Sequence, residues 1–521
     1  MRNKIKLLDC TLRDGGHIVE GKFGESVIRN LIKGLVEAKV DIIEIGFLWE
    51  KVCEPGMARF RNIEEVKRLL PKDKGVSKFS LMADYIDLEH LEQCDGTIEI
   101  IRLSFKRWRL DWGLKTAKIL MDKGYKVFIN PVNNNVYTDK QYIEVLDKVN
   151  ELKPFGFSIV DTFGVMRTSD LSHRYYLVEN NLHPDITIGI HLHENLGLAY
   201  NLAQHIVQIA NPKRNIVIDG SLLGMGRIPG NLCIEQIMDY MNEKYGINYM
   251  LEPIYDLIDD YIAPIKADKP WGYAIPYAIS AKFYLHRTYA EYLMKKERLK
   301  TKDIQRILSC VDLSEAETFN ESYIEDLYLK YMNVVCEDKK DYERLRCEFS
   351  QYNKILIIAP GSSLISESDK ISKYITEGVC VVSINFVPDY HEIVPDYVFV
   401  TNMKRYKSIN EREKSKLIIT SNLLRDVLNY DYVVGYNDIA YFEEMYCDDS
   451  TMMFLNLLNK FDVKEVMFAG FDGKRNGEFS FVDDSFGSNK ARMPEYDKIV
   501  TILNNYFKSI NKIFITESEY Q

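Results

Sequence analysis

Short apolar runs recur along residues 5–224 and alternate with segments whose apolar positions have helical spacing. The predicted strands are Ile5–Cys10, Asp41–Phe47, Phe79–Ala83, Ile98–Phe105, Lys126–Val132, Phe157–Asp161, Thr187–His193 and Asn215–Gly220. Because these runs are continuously apolar, both faces of each strand are expected to be buried, as in a parallel sheet. Eight strand–helix units over this length predict a (β/α)8 barrel, and an open doubly wound sheet is the competing architecture.

The pattern changes after the barrel. Residues 232–349 are mostly helical in spacing, and the Lys/Glu-rich segment Val335–Glu348 is the expected linker or boundary helix. A second series of strands is then predicted at Ile355–Ala359, Val379–Phe386, Tyr397–Val400, Lys416–Thr420 and Glu465–Ala469. We therefore expect a TIM-barrel domain over 1–265, a helical extension and linker over 266–349, and a smaller Rossmann-like α/β domain over 350–521.

Composition narrows the classes of function. The net charge of the 521 residues is −10 and no long basic run offsets it, so a general nucleic-acid surface is not expected. No apolar segment is long enough to span a bilayer, and the N-terminus runs straight into a predicted core strand, unlike a cleavable signal. The nine cysteines form no CxxC pair, which indicates a reducing, cytoplasmic location without a zinc cage.

The first predicted strand is followed by the residues Arg13, Asp14, Gly15, Gly16 and His17. In parallel α/β folds, chemistry is usually placed just past the carboxyl ends of strands. The carboxylate could bind a metal, the guanidinium could bind an anion, and the imidazole could accept a proton. The alternative is a surface turn in which the arginine and the aspartate pair only with each other.

The end of the seventh predicted strand carries His191 and His193. Side chains two residues apart in a strand point to the same face, here toward the barrel mouth where Asp14 also emerges. Two imidazoles and one carboxylate with open positions are typical of a reactive divalent-metal site. The glycine-rich segment Gly224–Asn231 follows the eighth strand and makes Asn231 a candidate fourth ligand; a phosphate-type turn or a plain loop are the alternatives.

These motifs resemble the DRE-TIM metallolyase family, which contains 3-hydroxy-3-methylglutaryl-CoA lyase, isopropylmalate synthase and 4-hydroxy-2-oxovalerate aldolase. The resemblance rests on TLRDGGH, on Glu44 within IEIGF, on HLHEN and on GMGRIPGN. A histidine three residues after the aspartate resembles the aldolases in particular. The segment GYAIPY also resembles an aldolase segment that supplies an active-site tyrosine, which corresponds here to Tyr273 or Tyr277.

The resemblance implies a class II pyruvate aldolase that cleaves or forms a 4-hydroxy-2-oxo acid, with pyruvate and an aldehyde as partners. It implies that Mg²⁺ or Mn²⁺ is held by three side chains: Asp14, His191 and His193. Arg13 would then stabilise the oxygen of the pyruvate enolate, and Glu44 would orient Arg13 or the metal shell. His17 would remove the proton of the hydroxyl group that becomes the aldehyde. Carbon–carbon cleavage beside a carbonyl leaves an enolate, and nearby cations stabilise such a charge. A homo-oligomer is expected.

The C-terminal strands resemble a bacterial sialyltransferase-type fold through ILIIAPGSSL, VVSINF and VMFAGFDGKRNGEFSFVDDSF. This resemblance implies that Gly361, Ser362 and Asn385 line a pocket for a nucleotide sugar, in a surface-polysaccharide or acidic-sugar pathway. The sequence has no histidine after His391, so the late catalytic histidine of those transferases has no counterpart. Three other functions stay open: an acetyl-CoA-dependent 2-oxoacid synthase, a glycosyltransferase with an inactive barrel, and a binding or scaffold protein.

Overall fold

The computed structural model describes residues 4–521 except 52, 85–87, 89–90, 134–135, 317, 337, 389–392, 407–408, 410–414, 476–477, 484–485 and 487–488. These residues form two compact units. The first comprises Met1–Arg287 with Ala316–Thr318, and the second comprises Thr288–Glu315 with Phe319–Gln521.

The first unit is built on eight parallel strands. They are Ile5–Asp9 (β1), Ile42–Leu48 (β2), Lys78–Asp84 (β3), Ile100–Phe105 (β4), Lys126–Pro131 (β5), Gly156–Asp161 (β6), Thr187–Leu192 (β7) and Ile216–Gly220 (β8). Each strand pairs with the next, and β1 pairs with both β2 and β8, so the barrel is closed. The predicted barrel is confirmed and the open sheet is excluded. A two-residue strand, Arg59–Phe60, pairs with the end of β2.

Helices alternate with these strands and cover the barrel. They are Glu25–Glu37 (α1), Ile63–Lys67 (α2), Leu110–Asp122 (α3), Asp139–Leu152 (α4), Thr168–Asn181 (α5), Ala199–Ile209 (α6), Ile234–Tyr245 (α7), Glu252–Leu257 (α8), Ala263–Asp268 (α9) and Ile275–Lys282 (α10). Local sequence sets their ends. Thr138, for example, caps α4 through the backbone N–H of Gln141, whose side chain accepts from Thr138 in return.

The barrel interior is apolar at its base and polar near the carboxyl ends of the strands. Leu8, Ile42, Ile100, Phe128 and Val217 form an apolar cluster. Strand side chains two residues apart share a face, so the next inward layer consists of the residues two positions further along. That layer contains Cys10, Glu44, Arg102, Asn130 and Asp219, all of them buried. The site is therefore built on a layer of charged groups inside the barrel.

The second unit contains a seven-stranded parallel sheet. Its strands are Lys354–Ile358 (β9), Val379–Ile384 (β10), Tyr397–Val400 (β11), Lys416–Thr420 (β12), Tyr432–Val434 (β13), Glu465–Ala469 (β14) and Asn511–Phe514 (β15). The order in the sheet is β13-β12-β11-β10-β9-β14-β15. The direction of winding reverses between β9 and β14, which is the doubly wound arrangement of Rossmann-like folds. The predicted architecture is confirmed, and β13 and β15 are strands that the sequence pattern missed.

The helices of this unit are Thr288–Lys295 (α11), Thr301–Leu308 (α12), Glu321–Met332 (α13), Lys339–Phe349 (α14), Ser363–Ser366 (α15), Ser368–Ser372 (α16), Met403–Tyr406 (α17), Tyr436–Ala440 (α18), Ser450–Lys460 (α19) and Asn489–Asn505 (α20). Segment 266–349, predicted as a separate extension, contributes to both units. Phe349 at the end of α14 packs against Tyr397 and Phe454, with ring centroids 5.0 and 6.0 Å away. No helix in the described part of the chain is both long and apolar enough to cross a membrane.

Candidate active site

Three side chains from distant segments meet at the mouth of the barrel. Asp14 lies in the turn after β1, His191 lies in β7, and His193 follows β7 directly. Their candidate ligand atoms all lie within 4.8 Å of one another. The predicted convergence of the first-loop carboxylate with both imidazoles is therefore observed.

The hydrogen bonds of both histidines leave the same ring nitrogen available. Nδ1 of His191 lies 3.0 Å from the Asp219 carboxylate, and Nδ1 of His193 lies 3.3 Å from the carbonyl oxygen of Gly230. Because an ionised carboxylate and a carbonyl only accept hydrogen bonds, Nδ1 carries the proton in each neutral ring and Nε2 is free to bind a metal. Burial, reinforced by His191, lowers the pKa of His193 to about 3, so its ring is neutral near pH 7.

Arg13 is held rigidly beside Asp14. Its Nε donates to Glu44 Oε2 at 2.7 Å, and its Nη1 donates to Asp14 Oδ1 at 2.7 Å. Burial opposes charge on Asp14, but Arg13 and the nearby imidazoles outweigh burial and hold the pKa of Asp14 well below its usual range. Arg13 and Asp14 are only 7% and 3% exposed, so their pairing is not the surface turn considered as the alternative.

Arg102 joins this pair to the histidines and was missed by the sequence reasoning. Its Nη1 donates to Glu44 Oε2 at 3.3 Å, and its Nη2 donates to Asp219 Oδ2 at 2.5 Å. The same Asp219 oxygen accepts from His191. A continuous series of buried contacts, called the charge chain below, therefore links Arg13 to Glu44, Glu44 to Arg102, Arg102 to Asp219 and Asp219 to His191. Two sequence features could have predicted these contacts, namely the single arginine in IIRLSF and the single aspartate in IVIDG. A charged side chain inside an apolar strand requires a partner of opposite charge.

Asn231 borders the carboxylate of Asp14. Its Nδ2 donates to Asp14 Oδ2 at 2.6 Å, while its buried Oδ1 has no hydrogen-bond partner among the residues that the structure describes. A buried amide oxygen without a partner costs free energy, and a cation beside Asp14 would satisfy it. Gly226 makes this contact possible, because a Cβ there would lie 2.2 Å from Asn231 Nδ2 and 2.7 Å from Asp14 Oδ2. The glycine turn thus packs against the carboxylate, to which the backbone N–H of Arg227 also donates.

These side chains open into a cavity of about 300 Å³, at the lower end of the usual range for small-molecule sites. Arg13, Asp14, His17, His191 and His193 line it. Nε2 of His17 lies 4.0 Å from Asp14 Oδ1. Desolvation of the ring lowers the pKa of His17 to about 4 against the opposing charge of Asp14, so the ring is neutral near pH 7, although 37% of the side chain is exposed.

The two candidate tyrosines lie elsewhere. Neither Tyr273 nor Tyr277 lines the cavity; Tyr273 is 58% exposed and Tyr277 is buried. Sequence reasoning also missed several charged or polar groups that line the cavity, namely Arg59, Asp84, Asn130, Arg227, His286 and Arg287. Arg227 lies within the motif GMGRIPGN but was not singled out there, and the other five belong to no quoted motif, so only the folded barrel brings these residues together.

In the second unit, the three predicted pocket residues lie at the carboxyl ends of β9 and β10. Gly361 packs against Asp472, and Ser363 donates its backbone N–H to that carboxylate at 2.9 Å. Asn385 donates to Ser450 Oγ at 2.7 Å and accepts from the backbone of Thr401. A cavity of about 1320 Å³ lies here, and Gly361 and Asn385 line it. Ser362 does not line it; its Oγ lies 3.5 Å from the carboxylate that Gly361 packs against.

The chain was compared with known proteins. Residues 113–258 match the family model described as HMGL-like. The 4-hydroxy-2-oxovalerate aldolase of Geobacillus genomosp. 3 is 23% identical over 286 residues, which are 52% of this chain and 80% of that protein. The enzyme of the same name from Marinomonas sp. is 25% identical over 359 residues, 65% of this chain and 99% of that protein.

Among solved structures, the HMG-CoA lyase of Bacillus subtilis is 17% identical with a TM-score of 0.40, over 52% of this chain and 94% of that chain. The relatives from Geobacillus and Marinomonas are both named aldolases, and the residues that match the family model lie within the barrel unit. These similarities support the resemblance of the barrel unit to the DRE-TIM metallolyase family.

Proposed function

We propose that the barrel is a divalent-metal-dependent aldolase that cleaves or forms a 4-hydroxy-2-oxo acid, with pyruvate as one partner. The observation that carries this proposal is the meeting of Asp14, His191 and His193 beside the buried guanidinium of Arg13 in one cavity. The names of the relatives support the same reaction class.

The donor set fits Mg²⁺ or Mn²⁺. Asp14 offers a carboxylate oxygen, and His191 and His193 offer Nε2. Asn231 offers its amide oxygen, which has no partner within the described part of the chain. Two imidazoles, one carboxylate and open positions are typical of divalent ions that act on substrates. When bound, such an ion supplies Lewis acidity toward the oxygens of a 2-oxo acid.

The protein's own side chains account for the remaining chemistry. The neutral ring of His17 accepts the proton of the C4 hydroxyl, the electrons of the C3–C4 bond move into the pyruvate fragment, and the aldehyde leaves. Arg13, held by Glu44, stabilises the negative charge that develops on the C2 oxygen. The fragment then takes up a proton from solvent at C3 to become pyruvate, and His17 releases to solvent the proton that it accepted. In the direction of synthesis, His17 returns its proton to the new hydroxyl.

The test is release of pyruvate from 4-hydroxy-2-oxopentanoate with Mn²⁺ or Mg²⁺, measured as NADH oxidation by added lactate dehydrogenase. We expect Asp14→Asn to lose at least a thousandfold in kcat/KM. Asp122→Asn, on the exposed face of α3, should stay within twofold of wild type. Absence of pyruvate with either metal from a series of such adducts would contradict the proposal. Release of free thiol from acetyl-CoA in the presence of a 2-oxo acid would instead support a condensing synthase.

We also propose that the second unit binds a small ligand, for which the sequence resemblance makes a nucleotide sugar the candidate. Its large cavity lies at the carboxyl ends of β9, β10 and β14, where the strand order reverses, and doubly wound folds bind ligands at that point. Titration calorimetry with CMP and UDP tests this. Measurable binding that weakens in Asn385→Ala supports the proposal, and absence of heat with both nucleotides counts against it.

A further inference from the structure

Asn195 lines the reaction cavity from the turn that follows β7, and it is only 5% exposed. Its side-chain amide makes no hydrogen bond with any residue that the structure describes. The amides of Asn130 and Asn231 differ, because each makes a hydrogen bond, to Arg102 and to Asp14 respectively. A buried amide without a partner costs free energy, so a polar group of a ligand in the cavity is expected to bind Asn195.

The elements on both sides of Asn195 hold its side chain in the cavity wall. The preceding residue, Glu194, donates its backbone N–H to the carbonyl oxygen of Gly230 at 2.9 Å. On the other side, a Cβ at Gly164 would lie 2.4 Å from Asn195 Oδ1, so only glycine leaves room for the amide. Asp161 holds the loop of Gly164 by accepting from two of its backbone N–H groups, each at 3.0 Å. Packing therefore positions the amide and leaves its polar atoms available to a ligand.

The wall that carries Asn195 is neutral. Among the described residues that the ends of β5, β6 and β7 contribute to the lining, the candidate metal ligands His191 and His193 are the only titratable ones. The others are Asn130, Val132, Val160, Thr162, Phe163 and Asn195. The arginines and aspartates of the lining come from the ends of β1 to β4 and from the segments after β8. A ligand group that lies against Asn195 thus meets neutral side chains, which favours a neutral group over an anion.

The amide of Asn195 offers two kinds of hydrogen bond. Its Nδ2 donates and its Oδ1 accepts, and within the described part of the chain both are without a partner. A carboxylate, phosphate or ketone oxygen only accepts, so any of these would leave Oδ1 unsatisfied. Two neighbouring hydroxyl groups satisfy both atoms, because one hydroxyl donates to Oδ1 while the other accepts from Nδ2.

One part of the substrate could carry such hydroxyl groups. The pyruvate part has a carboxylate and a ketone but no hydroxyl group, and in the proposed reaction the hydroxyl at C4 exchanges its proton with His17. Further hydroxyl groups therefore belong to the substituent on C4, which the aldehyde supplies. We infer that the aldehyde partner is a hydroxyaldehyde whose neighbouring hydroxyl groups hydrogen-bond to Asn195. This inference rests on the proposed aldolase function and specifies its substrate class.

The experiment measures condensation of pyruvate with two aldehydes in the presence of Mn²⁺, as consumption of pyruvate determined with lactate dehydrogenase in quenched samples. Glyceraldehyde is paired with propanal, which has the same carbon chain and no hydroxyl group. We expect kcat/KM to be at least tenfold higher for glyceraldehyde. In Asn195→Ala, and separately in Asn195→Leu, which keeps the volume of the side chain, this ratio should fall at least fivefold. Asn215→Ala, exposed just before β8 at the opposite end of the barrel, is the control that keeps the ratio of wild type.

A second measurement separates this inference from the proposed function. Exchange of the methyl hydrogens of pyruvate in D₂O, followed by proton NMR with Mg²⁺, requires no aldehyde and reports the enolate chemistry alone. We expect both variants of Asn195 to exchange within threefold of wild type, which also shows that the site is folded.

Three outcomes would overturn the inference. If wild type exchanges but reacts as well with propanal as with glyceraldehyde, the hydroxyaldehyde class is wrong. If the variants raise the KM for pyruvate equally with both aldehydes and leave the ratio unchanged, Asn195 binds the pyruvate part instead. If wild type shows neither exchange nor condensation, the aldolase function falls and this inference falls with it.

Discussion

Asp219 gives the sharpest test of how the charge chain supports the metal ligands. Its side chain is 1% exposed, and its Oδ2 accepts from Nδ1 of His191 at 3.0 Å and from Nη2 of Arg102 at 2.5 Å. In Asp219→Asn one of the two acceptor positions becomes an NH₂ group, which cannot accept from either donor. Both donors meet Oδ2, so the amide oxygen can take that position, but Arg102 then loses its counter-charge and His191 keeps only a neutral, weaker acceptor.

The magnitude follows from these contacts. Loss of a hydrogen-bond partner behind a ligating histidine typically weakens metal binding tenfold to a hundredfold, or about 1.4 to 2.7 kcal/mol. Removing one partner of a buried ion pair costs about 3 to 5 kcal/mol of folding free energy. Arg102 keeps its contact with Glu44 at 3.3 Å, so we expect the lower end of that range, about 3 kcal/mol.

The assay is titration calorimetry with Mn²⁺, together with urea unfolding in EDTA. The matched control is Ile218→Ala, which lies next to Asp219 in β8 but packs against the outer apolar core, and should cost about 2 to 5 kcal/mol without touching the site. We expect weakened Mn²⁺ binding only in Asp219→Asn. An Mn²⁺ affinity within twofold of wild type in the folded Asp219→Asn variant would refute this reasoning.

Three further predictions concern neighbouring contacts. Gly226→Ala should weaken Mn²⁺ binding at least tenfold, measured by calorimetry, because its Cβ would displace Asn231 and Asp14; unchanged binding would contradict this. Arg13→Lys should lower kcat for pyruvate release at least a hundredfold, because an ammonium group cannot keep the two carboxylate contacts of the guanidinium fork; similar kcat values would exclude that role. His286 stays neutral down to about pH 3 in the folded protein but takes up a proton near pH 6.5 when unfolded, so stability should fall as pH falls through this window. Urea unfolding at pH 7 and pH 5 should show a smaller difference in His286→Gln, and an equal difference would contradict the assignment.

The strands of the barrel could be predicted because each is a continuous apolar run bounded by polar residues. The two strands missed in the second unit are short. Tyr432–Val434 has three residues, and Asn511–Phe514 is a partly buried edge strand of four residues, of which two are polar. Neither offers enough periodicity to separate a strand from a loop, and only pairing with neighbours in the sheet defines them.

The convergence of Asp14, His191 and His193 could be predicted because these residues occur in compact motifs at strand ends. Of the residues behind them, the family resemblance named Glu44 as orienting Arg13 or the metal shell, but Arg102 and Asp219 were not identified from the sequence. Glu44, Arg102 and Asp219 lie on three different strands, and each has meaning only through partners far away in sequence. The arginines of the cavity wall are a stronger case. Arg59 lies in a two-residue strand and Arg287 lies in a loop, and only the folded barrel brings both to the same cavity. Sequence patterns thus reveal which groups could react, and tertiary structure reveals which groups position them.

The chain of buried charges has a consequence for any attempt to move this chemistry to another scaffold. Copying Arg13, Asp14, His191 and His193 onto a different eight-stranded protein would transfer the reactive groups but not the buried residues that hold them in place. Without counterparts of Glu44, Arg102 and Asp219, the grafted guanidinium and imidazoles would be free to choose other rotamers and tautomers. A transferred copy of this site would therefore need residues from the ends of five strands, β1, β2, β4, β7 and β8. We expect related proteins to keep these residues together or to lose them together.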